Sequence, residues 1–482
     1  MLEGMEPKLL WKHFDELRKI PRCSKHEEAA ADYVVTVARR LGLEYIRDSV
    51  GNVVVKMPAT PGMEISPTVV LQAHLDMVCE KNEEVLHDFS KDPIEVVREG
   101  DYLQARGTTL GADNGIGVSA ELAILEEKSA VHGPLELLFT VDEEEGMSGA
   151  YGLRGDALTG RYLINLDTED GSTLYIGCAG GAKTRIHLPV RRERSTGVAL
   201  LVSLKGLSGG HSGVDIHLER GNSNKLLARI LSEAYGCVPF NLADISGGNK
   251  HNAIPRESVA LVVIQKEDVG RLRLRIAEVE EALLNEYRSV DPGLLVNISP
   301  VALPERMISL EDSRKVLNLI LALPTGVMRW SPELAGTVET SVNLPVVQTK
   351  ENEIFLIMAS RSFSETQLKA QTERIRAIAD LAGAEVRVGS SYPGWQPRMD
   401  SKILKVCELS YQELFGREPQ IKAIHAGLET GIIGKKYPEM EMISLGPQIE
   451  HAHSPDERVK ISTVKVFYDL ILKVLVRIPG AV

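Results

Sequence analysis

The chain has 482 residues, a formal net charge of −12, and 43% hydrophobic and 25% charged residues. That length exceeds one ordinary core, so two or three domains are expected, with the composition of a soluble globular protein. The negative balance without basic patches excludes nucleic acid as the natural partner, and no apolar run approaches the ~20 residues of a membrane span.

The N-terminus, MLEGMEPKLLWKHFDELRK, reads as a charged amphipathic helix without the apolar core or cleavage site of a signal peptide. Residues 7–44 are expected to be helical, joined at Ile20-Pro21, with Ser24 and Glu27 at capping-box spacing. Strand-like runs follow at 52–56, 67–73, 135–141 and 162–166, with a helix over 115–127 between two of them. Strands alternating with helices imply a largely parallel, covered sheet, hence an α/β fold. From about Arg185 to about Ser390 the texture changes to two consecutive strand–helix–strand–helix–strand stretches, one opening at VALLVSLKG and the other at GLLVNISPV. They suggest a duplicated α+β unit inserted as a lid, so residues 1–185 with 391–482 form one discontinuous domain and 186–390 the other. Cys23, Cys79, Cys178, Cys237 and Cys407 are scattered without CxxC spacing, and reduced thiols in a cytoplasmic protein are the simplest reading.

Five metal-type side chains stand where strands should end: His74 in LQAHLDMV, Asp113 in LGADNGIG, Glu144 in FTVDEEEG, Asp167 in LINLDTED and His453 in EHAHSPDE. The carboxyl ends of parallel strands form the ligand crevice of an open α/β sheet. Two imidazoles with three carboxylates suit zinc, with manganese or cobalt as substitutes, and point to a metallohydrolase. Asp76, on the same side of the strand end as His74, is placed to receive the second ring N–H of that imidazole. Asp113 either bridges two metals or simply caps the helix that follows it. In the acidic run 142–145, Glu144 reads as a ligand and Glu143 as a general base toward a metal-bound water. His451 rivals His453, which is preferred because HSPDE reads as a turn ahead of a final helix.

The strings PRCSKHE, HLDMVCEKN, GTTLGADNGIG, TVDEEEGMSGA, IGCAGG, GGHSGVDI, HAGLETG and HSPDE resemble those of the aminoacyl-histidine dipeptidases, in order along nearly the whole chain. These belong to the M20 clan of dinuclear zinc aminopeptidases and carboxypeptidases. The resemblance implies a zinc-aminopeptidase-like catalytic domain with a lid, two zinc ions, and hydrolysis of dipeptides ending in histidine, including β-alanyl-histidine, in the cytosol. It implies His74, Asp113, Glu144, Asp167 and His453 as ligands with Asp113 bridging, Glu143 as base and Asp76 as its supporting aspartate.

It further implies that His211 contacts the scissile carbonyl oxygen, that Asn343 is an amide donor, and that Arg361 clamps the substrate's terminal carboxylate. Without the resemblance, His211 reads as a loop histidine and Arg361 as a surface ion pair. His425, Glu429, Tyr392 and Trp395 are candidates for shaping the substrate pocket or for structural roles. A doubled lid would supply His211 within one chain, so a homodimer is possible but not required. The rival readings are a deacylase or amidohydrolase of the same clan, a broad-specificity dipeptidase, and a metal-dependent binding protein without activity.

Overall fold

The computed structural model describes residues 2 and 4–478. Two compact units form: one from the chain up to Cys178 with Trp395–Ala423 and the chain from Leu428 onward, the other from Ala179–Gly394 with Ile424–Gly427.

The first unit is built on an eight-stranded sheet. Its four central strands, Leu135–Thr140, Val69–His74, Tyr162–Asn165 and Glu441–Ser444, are neighbours in that order and mutually parallel. Every residue of the first three is buried. Continuous apolar runs such as VVL and LELLF fit this position because a parallel sheet is covered on both faces. Each fully buried Val, Leu or Phe contributes about 1.5–3 kcal/mol. The helix Lys8–Leu17 buries Leu10, Trp11, Phe14 and Leu17, an apolar stripe at helical spacing. All four parallel strands end at the same edge, so the loops leaving His74, Thr140, Asn165 and Ser444 converge.

The second unit is a mostly antiparallel layer with alternating burial, every second residue of Glu353–Ser362 being buried. The helices Ser223–Cys237, Val269–Tyr287, Leu310–Ala322 and Glu365–Leu381 pack into one core with the inward-facing strand residues. Its strand order is Leu295–Val301, Val198–Lys205, Ser258–Ile264, Asn241–Gly247, Val338–Thr349, Glu353–Ser362, Gly180–Pro189, Glu385–Tyr392. The first four make a β-α-β-β-α-β unit of spatial order 4-1-3-2. The last four repeat that order from the opposite edge, provided Gly180–Pro189 is taken as the first strand of the second copy. The duplication is therefore nested: the chain lays down one strand of the outer copy, builds the whole inner copy, and returns. This differs from the consecutive halves expected from the sequence. Leu295–Val301 pairs with Val198–Lys205 and closes the inner copy instead of opening the outer one. The strand ladders of the two copies meet at two register pairs, Ser246↔Gln348 and Gly247↔Val347.

Two local expectations are corrected. Ser24 and Glu27 form no capping box: Ser24 Oγ donates to Asp76, and the Glu27 carboxylate accepts from the N–H groups of Lys25 and Asp142. The pair is used to tie loops together, a role that sequence spacing does not reveal. The cysteines are not all reduced: Cys23 and Cys79 form a disulfide with Cα atoms 5.7 Å apart, leaving Cys178, Cys237 and Cys407 free. Thiol titration of unreduced, denatured protein is expected to count three thiols; five would mean that the pair is open.

Candidate metal centre

His74 ends its strand with 1% of its surface exposed, and Asp76 follows with none. One oxygen of Asp76 lies 3.3 Å from His74 Nδ1. The same carboxylate accepts from the Glu143 N–H at 3.0 Å and the Glu144 N–H at 3.1 Å. Asp76 thus sets the ring of His74 and holds the turn after Leu135–Thr140 that carries the acidic run, so two strand ends are locked by one carboxylate.

The loop before the helix Ala112–Glu126 is held differently. Asp113 keeps non-helical angles (φ −80°, ψ 112°), and its side chain caps nothing. The backbone N–H groups of Leu110, Gly111, Ala112 and Asp113 all donate to the buried carboxylate of Glu457, at 2.7–3.2 Å. A carboxylate at a helix N-terminus satisfies orphan donors and complements the helix dipole. With that work done by Glu457, the Asp113 side chain is left to the site. On the other side of the loop, the buried Arg22 guanidinium donates to the carbonyls of Leu75, Asp76 and Gly111. A Cβ on Gly111 would meet Arg22 Nη2 at 2.5 Å, and one on Gly115 at 2.7 Å. Gly111 and Gly115 of LGADNGIG make room for that guanidinium.

Five side chains meet in two triads that share Asp113. His74 Nε2 lies 3.2 Å from Asp113 Oδ1 and 3.0 Å from Asp167 Oδ1. His453 Nε2 lies 3.2 Å from Asp113 Oδ2 and 3.0 Å from Glu144 Oε2. Glu143 groups with His74 and Glu144 in a third cluster whose ligand atoms lie within 4.8 Å of one another. His451 joins none of these groupings among the described residues.

The electrostatics fit a cation-binding site. Burial first, then Asp113 and Glu144, raise the Asp167 carboxyl to about 6 despite His74. The hydrogen bonds to Asp113 and Glu144 push His453 up to about 11. Burial would lower His74, but Asp167, Asp113 and Asp76 outweigh it and hold the ring well above its usual value. Burial, with Asp167, Glu144 and Glu429 adding like charge, raises Glu143 well above the carboxylate range. Glu144 Oε1 is buried without a hydrogen-bond partner. So much negative charge calls for cations close by, and N/O donors from two imidazoles and three carboxylates suit divalent metal ions.

A second polar cluster lies within the second unit. His211 Nδ1 accepts from the N–H groups of Gly213 at 3.3 Å and Val214 at 3.0 Å. This places the ring proton on Nε2. Burial and then Arg361 lower His211 to about 4, so the ring is neutral. Its Nε2 stands 3.5 Å from Arg361 Nη2. Two donors thus face one another without an acceptor between them. Arg361 Nη1 also donates to the Tyr392 hydroxyl at 3.0 Å. The Tyr392 ring lies over Gly181, where a Cβ would be 2.6 Å from it, which accounts for a glycine in IGCAGG.

Asn343 differs from the expected free donor. It is 2% exposed, its Nδ2 donates to the Ala253 carbonyl at 2.8 Å, and its Oδ1 accepts from Asn222 at 2.9 Å. Both ends of the amide are committed, bracing the two copies of the lid. His425 is buried in this unit, 2.7 Å from Ser341 Oγ, and burial lowers it to about 3. Trp395 is 8% exposed and exchanges backbone hydrogen bonds with Cys178 in the first unit.

Sequence reasoning missed Arg22 and Glu457 as well as the role of Glu429. Arg22 and Glu457 lie inside PRCSKHE and HSPDE, but nothing local shows that both are buried. Glu429 is fully buried, accepts from Gln72 Nε2 at 2.7 Å and from Thr140 Oγ1, and burial pushes it up to about 8. It sits among the residues just before the strand ends rather than in a substrate pocket of the lid. Glu457→Gln keeps the shape but weakens the four backbone hydrogen bonds. Removing a supporting group of this kind is expected to cost about 10–100-fold in metal affinity, measured by chelator competition, with the far-ultraviolet spectrum unchanged.

The family model described as Peptidase family M20/M25/M40 matches residues 70–477. The chain is 41% identical over 481 residues to the cytosol non-specific dipeptidase of Escherichia coli (strain K12), covering 99% of both chains. The crystal structure of aminoacylhistidine dipeptidase from Vibrio alginolyticus superposes with a TM-score of 0.93 at 42% identity, covering 99% of this chain and 98% of that one. The aminopeptidase PepT from Bacillus cereus shares the fold, with a TM-score of 0.58 at 17% identity over 98% of this chain and 99% of that one. With strand-end acids and imidazoles at the edge of a parallel sheet, and matches of this extent, the chain belongs to peptidase family M20/M25/M40.

Proposed function

We propose that this protein is a zinc-dependent dipeptidase acting on Xaa-His dipeptides, β-alanyl-histidine among them. The observation that carries the reading is the pair of triads sharing Asp113 beside the carboxylate of Glu143. His74, Asp113 and Asp167 would hold one ion, and Asp113, Glu144 and His453 the other, with manganese or cobalt as substitutes. Bound there, the ions would acidify a water and polarise the scissile carbonyl.

The chain's own residues supply the rest. Glu143 takes a proton from the attacking water and delivers it to the leaving amine, a role favoured by a carboxyl whose affinity for protons is raised. Asp76 keeps His74 and the Glu143 turn in register. In the second unit the neutral His211 offers Nε2–H to the scissile carbonyl oxygen, and the Arg361 fork pairs with the substrate's terminal carboxylate. The facing donors, 3.5 Å apart, have no acceptor between them, which supports a donor role toward substrate oxygens for each. His211 belongs to the inner copy of the lid and Arg361 to the outer one, so this pair is completed within one chain. Activity in a monomer follows, with a homodimer possible but not required.

The breadth of the substrate range is the finer point. The E. coli relative is named non-specific and cytosolic, while the Vibrio structure is named for aminoacyl-histidine substrates. We carry over the cytosolic location from the former and the histidine preference from the latter. A broad-specificity dipeptidase is the second reading, favoured by the E. coli name.

Hydrolysis of β-Ala-His, Gly-His and Ala-Ala by zinc-loaded enzyme distinguishes them. The histidine dipeptides are expected to be cleaved at least tenfold better than Ala-Ala in kcat/KM, and equal rates would establish the broad reading. Glu143→Gln should retain two metal ions and lose about 10²–10⁴-fold in kcat. If it keeps full activity, another group is the base. Arg361→Met should lose about 10–100-fold in kcat/KM on dipeptides and much less on dipeptide amides, which lack the carboxylate. An equal loss on both would remove the clamp assignment.

A further inference from the structure

The sheet of the second unit has one face against its helices, and the other face carries Arg361 and two further cations. Arg361 pairs with Gly181 on the neighbouring strand, in a register that runs unbroken from Ser362↔Gly180 to Glu353↔Pro189. Side chains alternate along a strand, so Lys183 and Arg185 share the face of Gly181 and hence of Arg361. The intervening Ala182, Thr184 and Ile186 are buried on the opposite side, where Ile186 joins the helix-covered core.

The sheet gives Lys183 room on both sides. Its partner on one strand is Ala359, which has no reach. On the other strand the register jumps from Val388↔Thr184 to Ser391↔Ala182, so Gly389 and Ser390 together face Lys183. A bulge of this kind re-aims a side chain and is frequent beside active sites. A Cβ on Gly389 would come 3.1 Å from Arg185 Nη1 and 3.3 Å from the Lys183 carbonyl oxygen, so glycine leaves both cations in place.

Neither cation is answered. Lys183 and Arg185 have no side-chain hydrogen bond or ion pair among the described residues. Lys183 is partly buried, and burial, then Arg185 and Arg361, lower its ammonium. The loop before Ala253, which pairs with His211, adds His251, whose electrostatic neighbours are Lys183, Arg361 and Lys250. Asp215, an acid near His211, is occupied by the His211 N–H at 2.8 Å.

The terminal carboxylate of a dipeptide brings one negative charge, and the Arg361 fork takes it. Lys183 and Arg185 are then still without an anion. The C-terminal side chain branches from the carbon that bears that carboxylate. Lys183 stands two residues, about 7 Å of strand, from the Gly181 that faces Arg361, and its flexible four-carbon stem lets the ammonium work within that span. We propose that Lys183, with Arg185 next along the strand, reads the charge of the substrate's C-terminal side chain, favouring aspartate and glutamate and rejecting lysine and arginine. A neutral imidazole is admitted, so histidine dipeptides remain substrates. This rests on the Arg361 clamp of the dipeptidase reading above. A charge-assisted contact at a partly exposed site discriminates by about tenfold, and like charges brought together disfavour the cationic side chains.

The test measures kcat and KM for Ala-Glu, Ala-Gln and Ala-Lys with zinc-loaded wild type, Lys183→Met and Lys183→Arg. Ala-Glu and Ala-Gln have the same shape and differ in charge. In the wild type kcat/KM is expected to fall about tenfold from Ala-Glu to Ala-Gln and about tenfold again to Ala-Lys. In Lys183→Met both ratios should shrink by about tenfold, through a higher KM for Ala-Glu and a lower one for Ala-Lys. Lys183→Arg should restore them. Wild type that treats Ala-Glu and Ala-Gln alike, ratios unchanged in Lys183→Met, or an equal loss on all three substrates would each overturn the assignment. Wild type that cleaves none of these, nor Ala-His, would instead remove the dipeptidase reading itself, and the Lys183 assignment with it.

Discussion

The site depends on how a buried guanidinium and a buried carboxylate hold the backbone of the Asp113 loop and tie it to the strand end at Leu75 and Asp76. Arg22 takes the carbonyls of Leu75, Asp76 and Gly111, while Glu457 takes the N–H groups of residues 110–113. Glu457 and Asp76 are in turn the main charges that offset the cost of burying Arg22, which burial lowers to about 10. Neither ion would be tolerable alone, since an unpaired buried charge costs several kcal/mol. Together they fix the loop that presents Asp113 to both imidazoles. Residues from positions 22, 76, 111 and 457 must therefore be assembled before the five candidate ligands can meet.

The same economy governs the other strand ends. Asp76 serves His74 on one side and the N–H groups of Glu143 and Glu144 on the other. Beneath them Gln72, Thr140, Asn165, Ser444 and Glu429 form a buried polar layer. Parallel strands bring their carboxyl ends together, and a dense hydrogen-bonded frame is what lets so many acids remain there. The cluster then favours cations of high charge, and Glu143 stands beside two of its members, His74 and Glu144.

The lid shows how a duplication can be arranged so that its halves cooperate. Because the inner copy is inserted after the first strand of the outer one, the two sheets join edge to edge and the histidine of one copy meets the arginine of the other. The consecutive reading of the halves failed for a plain reason. Strand runs of similar texture carry no label for their partners, and pairing is decided by which edges the chain can reach. Ser24 and Glu27 failed similarly: their spacing suits a capping box, yet the loops that compete for them come from residues 76 and 142.

By itself the sequence determined the chemical inventory and the two kinds of sheet. Metal-type residues closing apolar runs could be read locally, because strand ends announce themselves through periodicity and composition. Glycines around Asp113 and Gly181 were visible as constraints, though not what they made room for. Tertiary structure alone decided which acids are buried, that Glu457 rather than Asp113 caps the helix, that Asn343 braces the lid, and that Cys23 pairs with Cys79. Each of these depends on contacts between distant segments, where burial and competition among donors, not local propensity, set the outcome.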